Sequence, residues 1–384
     1  MMKTVWKHIV LLLILLTACG REPLPQPAVP VPSDIPIEFR APQTKGSDEL
    51  STLARLATQK FGVCAWYTPE GETFGTGSVP YIKNHRFGCT DVPSYTTWCG
   101  VTAGGEADPV YYPLDGSLSY FCYAPYRDVV NETSDVELIY EPDSEITSHL
   151  TNYLEGSPLI CFTPKATTIG QIDFLVAIPV LDARRGGSDI TLDFRRHVTT
   201  KIEFWVKYSG SVDDETEGVI VTQIVIRDVI SSEYLYFTEN DRVLGHQWCS
   251  TISPVDGSAT MPKASYSLTA NNNALITSAA WLDSSTAKFV NETNNGITYM
   301  LPQVIPSGAY LDVTYQVKNK ASGSVLDENT VSIPLEGTVD WPIGKVVKYT
   351  ITIGVPPRND VDITATIEEW LDSYNIHSEQ ELMY

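Results

Sequence analysis

The sequence predicts an all-β protein built from two tandem β-sandwich domains. The chain of 384 residues contains 20 tyrosines, 25 glycines and 25 prolines, a composition that favours strands joined by frequent turns. Short segments of alternating apolar and polar residues, such as 201–208, recur between turn signals, which favours sandwiches over βαβ units. The length suggests two domains, and the glycine-containing stretch 184–188 is the expected break between them.

The first 18 residues have the pattern of a secretory signal. Lys3 and Lys7 precede an apolar run that is too short for a transmembrane helix, which needs about 20 residues. The run ends in Leu16-Thr17-Ala18-Cys19, which resembles the bacterial lipobox, whose cysteine carries the lipid. We therefore expect residues 1–18 to be a lipoprotein signal peptide and Cys19 to be lipidated. The alternative is an ordinary signal peptide followed by a chance cysteine.

A proline-rich tether and one short strand are predicted next. Residues 19–34 contain repeated prolines without apolar periodicity, as expected of an extended spacer of about 3 Å per residue. In residues 35–41 apolar and polar side chains alternate, which is typical of a strand with one buried face. We expect the core-facing residues of this strand to be Ile35, Ile37 and Phe39.

The remaining chain is assigned to two domains and a tail. We expect an N-terminal sandwich over residues 35–185 and a C-terminal sandwich over residues 186–373. Alternation in segments such as 219–226 and 346–353 predicts half-buried strands in the second domain. Residues 374–384 are rich in acidic and polar residues and are expected to form a frayed tail.

The charge and cysteine content of the chain limit the kinds of partner and ligand that we expect it to bind. The net charge of −21 disfavours phosphate contacts with nucleic acid and attraction to an anionic membrane surface. Six cysteines follow Cys19 without zinc-ligand spacing, so they are either free buried thiols or form one or two disulfides, for example Cys89 with Cys99. These six residues are Cys64, Cys89, Cys99, Cys122, Cys161 and Cys249.

We find no catalytic, metal or cofactor motif in the sequence. The histidines are scattered, and the chain has no nucleophile elbow, P-loop or dinucleotide fingerprint. Acidic pairs such as Asp213-Asp214 are more typical of a solvated surface, although glycosidase carboxylates can come from distant strands. We therefore expect no enzyme activity, no cofactor and no metal.

Three segments together resemble the fimbrillin family, the type V pilins of Gram-negative anaerobes. Residues 61–67 are similar to the opening strand of the family, residues 111–126 to its aromatic-proline turn and strand, and residues 341–353 to its closing strand pair. The order of these segments, with a lipobox before them, covers nearly the whole chain. The stretch Phe194-Arg195-Arg196-His197 departs from the family spacing, so we expect a structural role for His197.

The resemblance implies two transthyretin-like sandwiches and a subunit of a cell-surface pilus. In the family, the precursor reaches the outer membrane as a lipoprotein, and a surface protease cuts after a basic residue behind the first strand. A strand from the next pilin subunit then fills the groove. By position, residues 35–41 are the removable strand and the cut follows Lys45, where the family has arginine. Arg40 and Arg55 are the alternative processing residues, and an uncut subunit would remain as an anchor.

A surface glycan-binding lipoprotein is the competing prediction. Exposed, coplanar tryptophans in one groove would favour this alternative, whereas an N-terminal strand inserted into a sheet would favour the pilin. The candidate tryptophans are Trp66, Trp98, Trp248, Trp281, Trp341 and Trp370.

Overall fold

The computed structural model describes eleven segments of the chain, and nearly all of their regular structure is β, which confirms the predicted fold class. The two helices of these segments, α1 (Leu53–Gln59) and α2 (Ser144–Thr147), are short, and neither is long and apolar enough to cross a membrane. The described residues are 30–43, 53–92, 94–129, 135–167, 171–194, 196–210, 212–240, 243–268, 281–290, 298–355 and 361–370.

A central sheet of eight strands organises the first part of the chain. Its order is β10-β7-β3-β4-β5-β2-β12, with β11 paired to β7. Its strands are β2 (Glu38–Gln43), β3 (Phe61–Thr68), β4 (Val79–Cys89), β5 (Trp98–Gly100), β7 (Ser117–Ala124), β10 (Leu175–Val176), β11 (Val180–Ala183) and β12 (Ile190–Asp193). A separate two-stranded ribbon pairs β1 (Pro32–Pro36) with β6 (Tyr111–Pro113).

Two central strands of this sheet, β3 and β7, are buried on both faces. All residues of β7 and nearly all of β3 are buried, which explains why these strands are mostly apolar and lack alternation. Phe61 and Tyr120 face a core that also contains β2 and α1, whereas Trp66 and Phe121 face the second sheet.

The second sheet has four strands and covers one face of the central sheet. The rings of Phe121 and Phe237 lie 4.9 Å apart across this interface. The pairing of β9 with β15 joins residues 159–162 to residues 233–240, and the pairing of β2 with β12 joins residues 38–43 to residues 190–193. Both sheets therefore contain strands from each side of the predicted domain boundary between residues 185 and 186. The strands, in the order β16-β15-β9-β8, are β8 (Val136–Ile139), β9 (Leu159–Phe162), β15 (Glu233–Asn240) and β16 (Val243–Cys249).

The third and fourth sheets enclose one large apolar core. In β13 (Thr200–Ser209), a strand of the fourth sheet, buried residues alternate with half-buried ones, as the sequence predicts for a half-solvated strand. The third sheet contains β14 (Glu217–Ile230), β17 (Lys263–Leu268), β20 (Tyr310–Asn319) and β21 (Val325–Pro334). The fourth contains β13 (Thr200–Ser209), β18 (Lys288–Phe289), β19 (Thr298–Met300), β22 (Lys345–Gly354) and β23 (Val361–Glu369). The transthyretin-like type of the two domains stays a prediction.

The six cysteines of the described segments are buried free thiols. Cys99 lies opposite Gly88, and Cys89 lies opposite Trp98, so the side chains of Cys89 and Cys99 point to opposite faces of the sheet. This register explains why these two neighbouring thiols do not form a disulfide. Burial raises the pKa of the Cys89 thiol to about 11, which keeps it protonated at neutral pH.

We predict that two isoleucines of the fourth sheet differ strongly in their contribution to stability. Ile351 on β22 is fully buried in the C-terminal core, whereas Ile367 on the adjacent edge strand β23 is half exposed. Ile351→Ala should lower the free energy of unfolding by about 2–5 kcal/mol through cavity formation. The matched Ile367→Ala change should cost less than about 1 kcal/mol. Urea unfolding measures both, and equal losses would contradict the difference in burial between the two side chains.

Candidate functional site

The N-terminal segment forms two strands with different partners, which corrects the prediction of one strand over residues 35–41. β1 pairs with β6, and β2 pairs with the central sheet. Between them, the Ile37 amide donates to the carbonyl of Val110 over 2.7 Å. β1 begins at Pro32, inside the predicted tether 19–34. The N-terminal segment therefore pairs with two separate parts of the fold, β6 and the central sheet.

The first strand, β1, is a surface ribbon. Pro32 lies opposite Pro113, Pro36 lies opposite Tyr111, and no further strand of the described segments joins this pair. Ile35 is 40% exposed, so the prediction that it faces the core is wrong. The reason is that a two-stranded ribbon at the surface has no covered face at this position.

The second strand, β2, is paired along both of its edges. On one side it runs antiparallel to β5, with Phe39 opposite Trp98. On the other side it runs parallel to β12, with Phe39 opposite Ile190 and Arg40 opposite Thr191. If β2 were absent, the facing edges of β5 and β12 would present unpaired N–H and C=O groups, which readily pair with another strand.

Two inward side chains are buried here, Ile37 just before β2 and Phe39 within it, with 0% and 1% exposed. The Phe39 ring lies 5.2 Å from the rings of both Phe87 and Tyr120, and 6.2 Å from that of Phe61. Burying a phenylalanine contributes roughly 1.5–3 kcal/mol, and each aromatic pair adds about 0.5–1.5 kcal/mol. Phe39 is therefore the main side-chain anchor of β2.

The outward face of β2 contributes little to its retention. Arg40 forms an ion pair with Asp189, with 2.8 Å between Nε and Oδ2, but both side chains are mostly exposed. Exposed pairs of this kind typically contribute about 0–1 kcal/mol. Backbone pairing and the buried face must therefore hold the strand.

The cavity that receives Phe39 is apolar and electrically neutral. Burial raises the pKa of Tyr120 well above its usual range, and burial also raises the pKa of Tyr112 and Cys89. None of these groups ionises near neutral pH, so the site has no charged group of its own to activate a nucleophile. No cluster of three or more potential metal ligands occurs among the described residues. The arrangement is suited to holding an apolar strand.

Two of the three candidate processing residues lie in regular structure. Lys45 lies outside the described residues, together with Cys19, the signal peptide 1–18 and the tail 374–384. Arg40 belongs to a doubly paired strand, and Arg55 is exposed on α1. Cleavage at either arginine requires local opening of regular structure, because proteases nick exposed loops most readily.

His197 lies away from this site. Its Nδ1 is 2.7 Å from Oδ1 of Asp173, and its ring stacks on Trp370 with 3.9 Å between ring centroids. Both members of the His197–Asp173 pair are buried. These contacts indicate a structural role.

The candidate tryptophans do not form an exposed groove in the described segments. Trp66, Trp98, Trp341 and Trp370 are buried, and Trp248 and Trp281 are half-buried. The indole N–H of Trp248 donates to the carbonyl of Val198 over 2.7 Å, and that of Trp341 donates to the Tyr349 hydroxyl over 2.9 Å. These indoles serve packing and internal hydrogen bonding.

Sequence reasoning missed the strand partners of β2. Ile190 and Leu192 alternate with polar residues, which is the pattern of a strand, and β12 spans these residues. However, no local pattern marks a parallel partner so distant in sequence, and the Arg40–Asp189 contact spans 149 residues. The same limit applies to β5, whose three residues are too few to show periodicity.

A family model described as fimbrillin-like matches residues 54–370. A fimbrial protein from Bacteroides vulgatus is 17% identical, has a TM-score of 0.54, and aligns over 85% of this chain and 99% of its own. A proposed cell adhesion protein from Bacteroides uniformis is 16% identical, has a TM-score of 0.45, and aligns over 88% of this chain and 100% of its own. A fimbrilin from Porphyromonas gingivalis is 8% identical, has a TM-score of 0.35, and aligns over 89% of this chain and 99% of its own.

The Bacteroides vulgatus structure shows a shared fold, whereas the other two similarities are too weak to carry an argument. No curated protein sequence shows significant similarity to this chain.

We predict that Ile35 and Ile37, two isoleucines of the N-terminal segment, contribute differently to the free energy of unfolding. Ile37→Ala should lower the free energy of unfolding by about 2–5 kcal/mol, because it leaves a cavity in the core. Ile35→Ala is the matched control and should cost less than about 1 kcal/mol, because this side chain is largely solvated. Urea unfolding of the intact chain tests the difference. Equal losses would show that the segment is not seated as described.

Proposed function

This chain belongs to the fimbrillin-like family, and from that premise we propose that it is a structural, adhesive subunit of a cell-surface pilus. The family match over residues 54–370 carries the proposal, and the all-β architecture supports it. The apolar groove that receives Phe39 supports a structural role over a catalytic one, because its buried Tyr120 and Cys89 do not ionise near neutral pH.

The proposal includes export as an outer-membrane lipoprotein. The stretch Leu16-Thr17-Ala18-Cys19 supplies the lipobox-like site, and the basic residues before the apolar run supply the signal. Two or more acyl chains anchor a protein stably, since each buried methylene contributes about 0.8 kcal/mol. The lipid on Cys19 then holds the precursor at the outer membrane until processing.

Assembly proceeds by strand exchange at the position of β2. A protease cuts behind the segment, the segment leaves, and a strand from the next subunit enters between β5 and β12. The main support is that β2 is hydrogen-bonded on both edges while Phe39 fills an aromatic cavity. In such β-augmentation, backbone bonds supply affinity and alternate side chains supply the register.

The released piece is longer than the strand predicted from sequence. A cut after Lys45 frees β1 together with β2, so the edge of β6 opens as well as the edges of β5 and β12. The incoming strand must place a large apolar side chain at the position of Phe39. A shift by one residue would turn its polar face into the core.

Cleavage is required because the intact chain competes with any incoming strand. While residues 44–52 connect β2 to the body, the resident strand has an effective concentration in the millimolar range, set by this short connection. Cutting the connection removes this advantage, and β2 can then dissociate and be replaced.

We predict that Lys45→Ala blocks processing and polymer formation. Treatment of the full chain with a protease specific for basic residues should yield SDS-resistant ladders, and N-terminal sequencing should place the new end at Gly46. Lys45→Ala should abolish both results. Arg40→Ala and Arg55→Ala are the matched controls and should retain ladders. Ladders from Lys45→Ala, or a new end at Ala41 or Leu56, would overturn this assignment.

We further predict that Cys19→Ser prevents lipid attachment. In cells, the variant should lose metabolic labelling by palmitate and leave the membrane fraction. Cys249→Ser is the control, because Cys249 is a buried thiol of the body, and it should keep the label. Undiminished labelling of Cys19→Ser would exclude this residue as the lipid attachment site.

A further inference from the structure

A group of exposed apolar side chains lies on the ribbon of β1 and β6. The four residues of this ribbon patch are between 37% and 64% exposed: Val31, Ile35, Tyr111 and Leu114. The Leu114 amide donates to the carbonyl of Val31 over 2.9 Å, and Tyr111 lies opposite Pro36, so apolar residues are neighbours at both ends of the ribbon. Single exposed apolar residues are ordinary, but a contiguous group marks an interaction site.

The backbone of the ribbon is poorly suited to pairing with a further strand. Pro32, Pro36 and Pro113 lie in the two strands and have no N–H to donate. Prolines at the edge of a sheet hinder the addition of another strand. The same feature favours contact with lipid, because a backbone with fewer N–H groups loses fewer hydrogen bonds when water is excluded. The ribbon patch therefore offers apolar side chains but few of the donors that a strand partner uses.

The ribbon patch lies where the tether joins the fold. Pro30 is the first described residue of the chain and directly precedes Val31. The eleven residues from Cys19 to Pro30 span at most about 40 Å when fully extended. A lipid on Cys19 keeps the patch within this distance of the membrane, at an effective concentration of the order of millimolar. Apolar contact that is too weak to recruit the chain from solution is sufficient under these conditions.

The charges beside the ribbon patch determine which lipid surface it fits. Asp34 and Asp115 are exposed, and segments 31–36 and 111–115 contain no lysine, arginine or histidine. The Asp115 carboxylate accepts from the Tyr67 hydroxyl over 2.8 Å. These carboxylates and the net charge of −21 are repelled by anionic lipid. The patch therefore suits uncharged headgroups, in a shallow contact that leaves both carboxylates in water.

We propose that the ribbon patch contacts the surface of the lipid bilayer in which the chain is anchored. Val31, Ile35 and Leu114 make the apolar contact, and the Tyr111 ring lies at the level of the headgroups. Tyrosine is enriched at this level because its ring is apolar and its hydroxyl is polar. The inference rests on the proposed lipid anchor, since the tether supplies the proximity. The anchored chain then has a defined orientation, with the β1–β6 ribbon towards the membrane.

The ribbon patch is divided between the N-terminal segment and the body. Val31 and Ile35 belong to the piece that a cut after Lys45 releases, whereas Tyr111 and Leu114 remain with the body. Processing therefore removes half of the lipid contact together with the tether. The membrane-facing surface is complete only in the uncut chain.

Hydroxyl-radical footprinting of the full, uncut chain from Cys19 onward tests the proposal. Cys19 is coupled to a maleimide lipid in phosphatidylcholine vesicles, which supplies the tether independently of acylation in cells. The other six thiols are buried, so coupling under native conditions selects Cys19. On these vesicles, Tyr111 and Leu114 should be oxidised at least threefold more slowly than in the uncoupled chain. The exposed residues Val255 and Val304 should be oxidised at an unchanged rate.

Three outcomes of this footprinting would overturn the proposal. The first is unchanged oxidation of Tyr111 and Leu114 on the vesicles. The second is equal protection in concentrated chain without vesicles, which would show that a second copy of the chain covers the patch. The third is stronger protection on vesicles that contain phosphatidylglycerol, because the proposal requires weaker contact with anionic lipid. Acylation in cells is measured separately by the palmitate labelling of Cys19→Ser, so its failure is distinguishable from these outcomes.

Paired serine substitutions identify the side chains that make the contact. The double variant Val31→Ser, Leu114→Ser should restore oxidation of Tyr111 on phosphatidylcholine vesicles to the rate of the uncoupled chain. The matched control is Val325→Ser, Leu326→Ser, a similarly exposed valine and leucine at the edge of the third sheet, and it should keep the protection. Retained protection of Tyr111 in the first double variant would overturn the proposal.

Discussion

The double pairing of β2 is the constraint on which the N-terminal half of the structure depends. β5 is short, and β12 has β2 as its strand partner in the described segments, so each relies on β2 for a complete ladder. Phe39 adds side-chain packing, because its ring completes an aromatic cluster formed by residues of three other strands. The same few residues therefore supply both the backbone hydrogen bonds and the core packing. Any substitute strand would have to supply both.

Burial of the neighbouring strands on both faces supports the strand exchange proposed for this position. The central strands β3 and β7 are covered by the second sheet on one side and by the Phe39 core on the other. The sheet therefore remains supported from its second face when one edge region changes occupant. In contrast, the C-terminal sandwich surrounds a single core, whose strands show clear alternation.

The sequence predicted the elements well where a strand has one solvated face. Alternation along 201–208 corresponds to β13, and alternation along 346–353 corresponds to β22. It failed at Ile35, because alternation indicates which side chains share a face but does not reveal whether anything covers that face.

The parallel pairing of β12 with β2 also has a mechanical consequence. β12 leads through residues 194–199 directly into β13, the first strand of the C-terminal sandwich. When a strand occupies the position of β2, β12 is hydrogen-bonded to the central sheet and this connection is held in place. When that position is empty, β12 loses the strand with which it pairs. We therefore expect a filled subunit to transmit tension between its halves as a stiff rod and an empty one to flex at this joint. In the proposed fibre, stiffness would then depend on a strand of the neighbouring subunit occupying each groove.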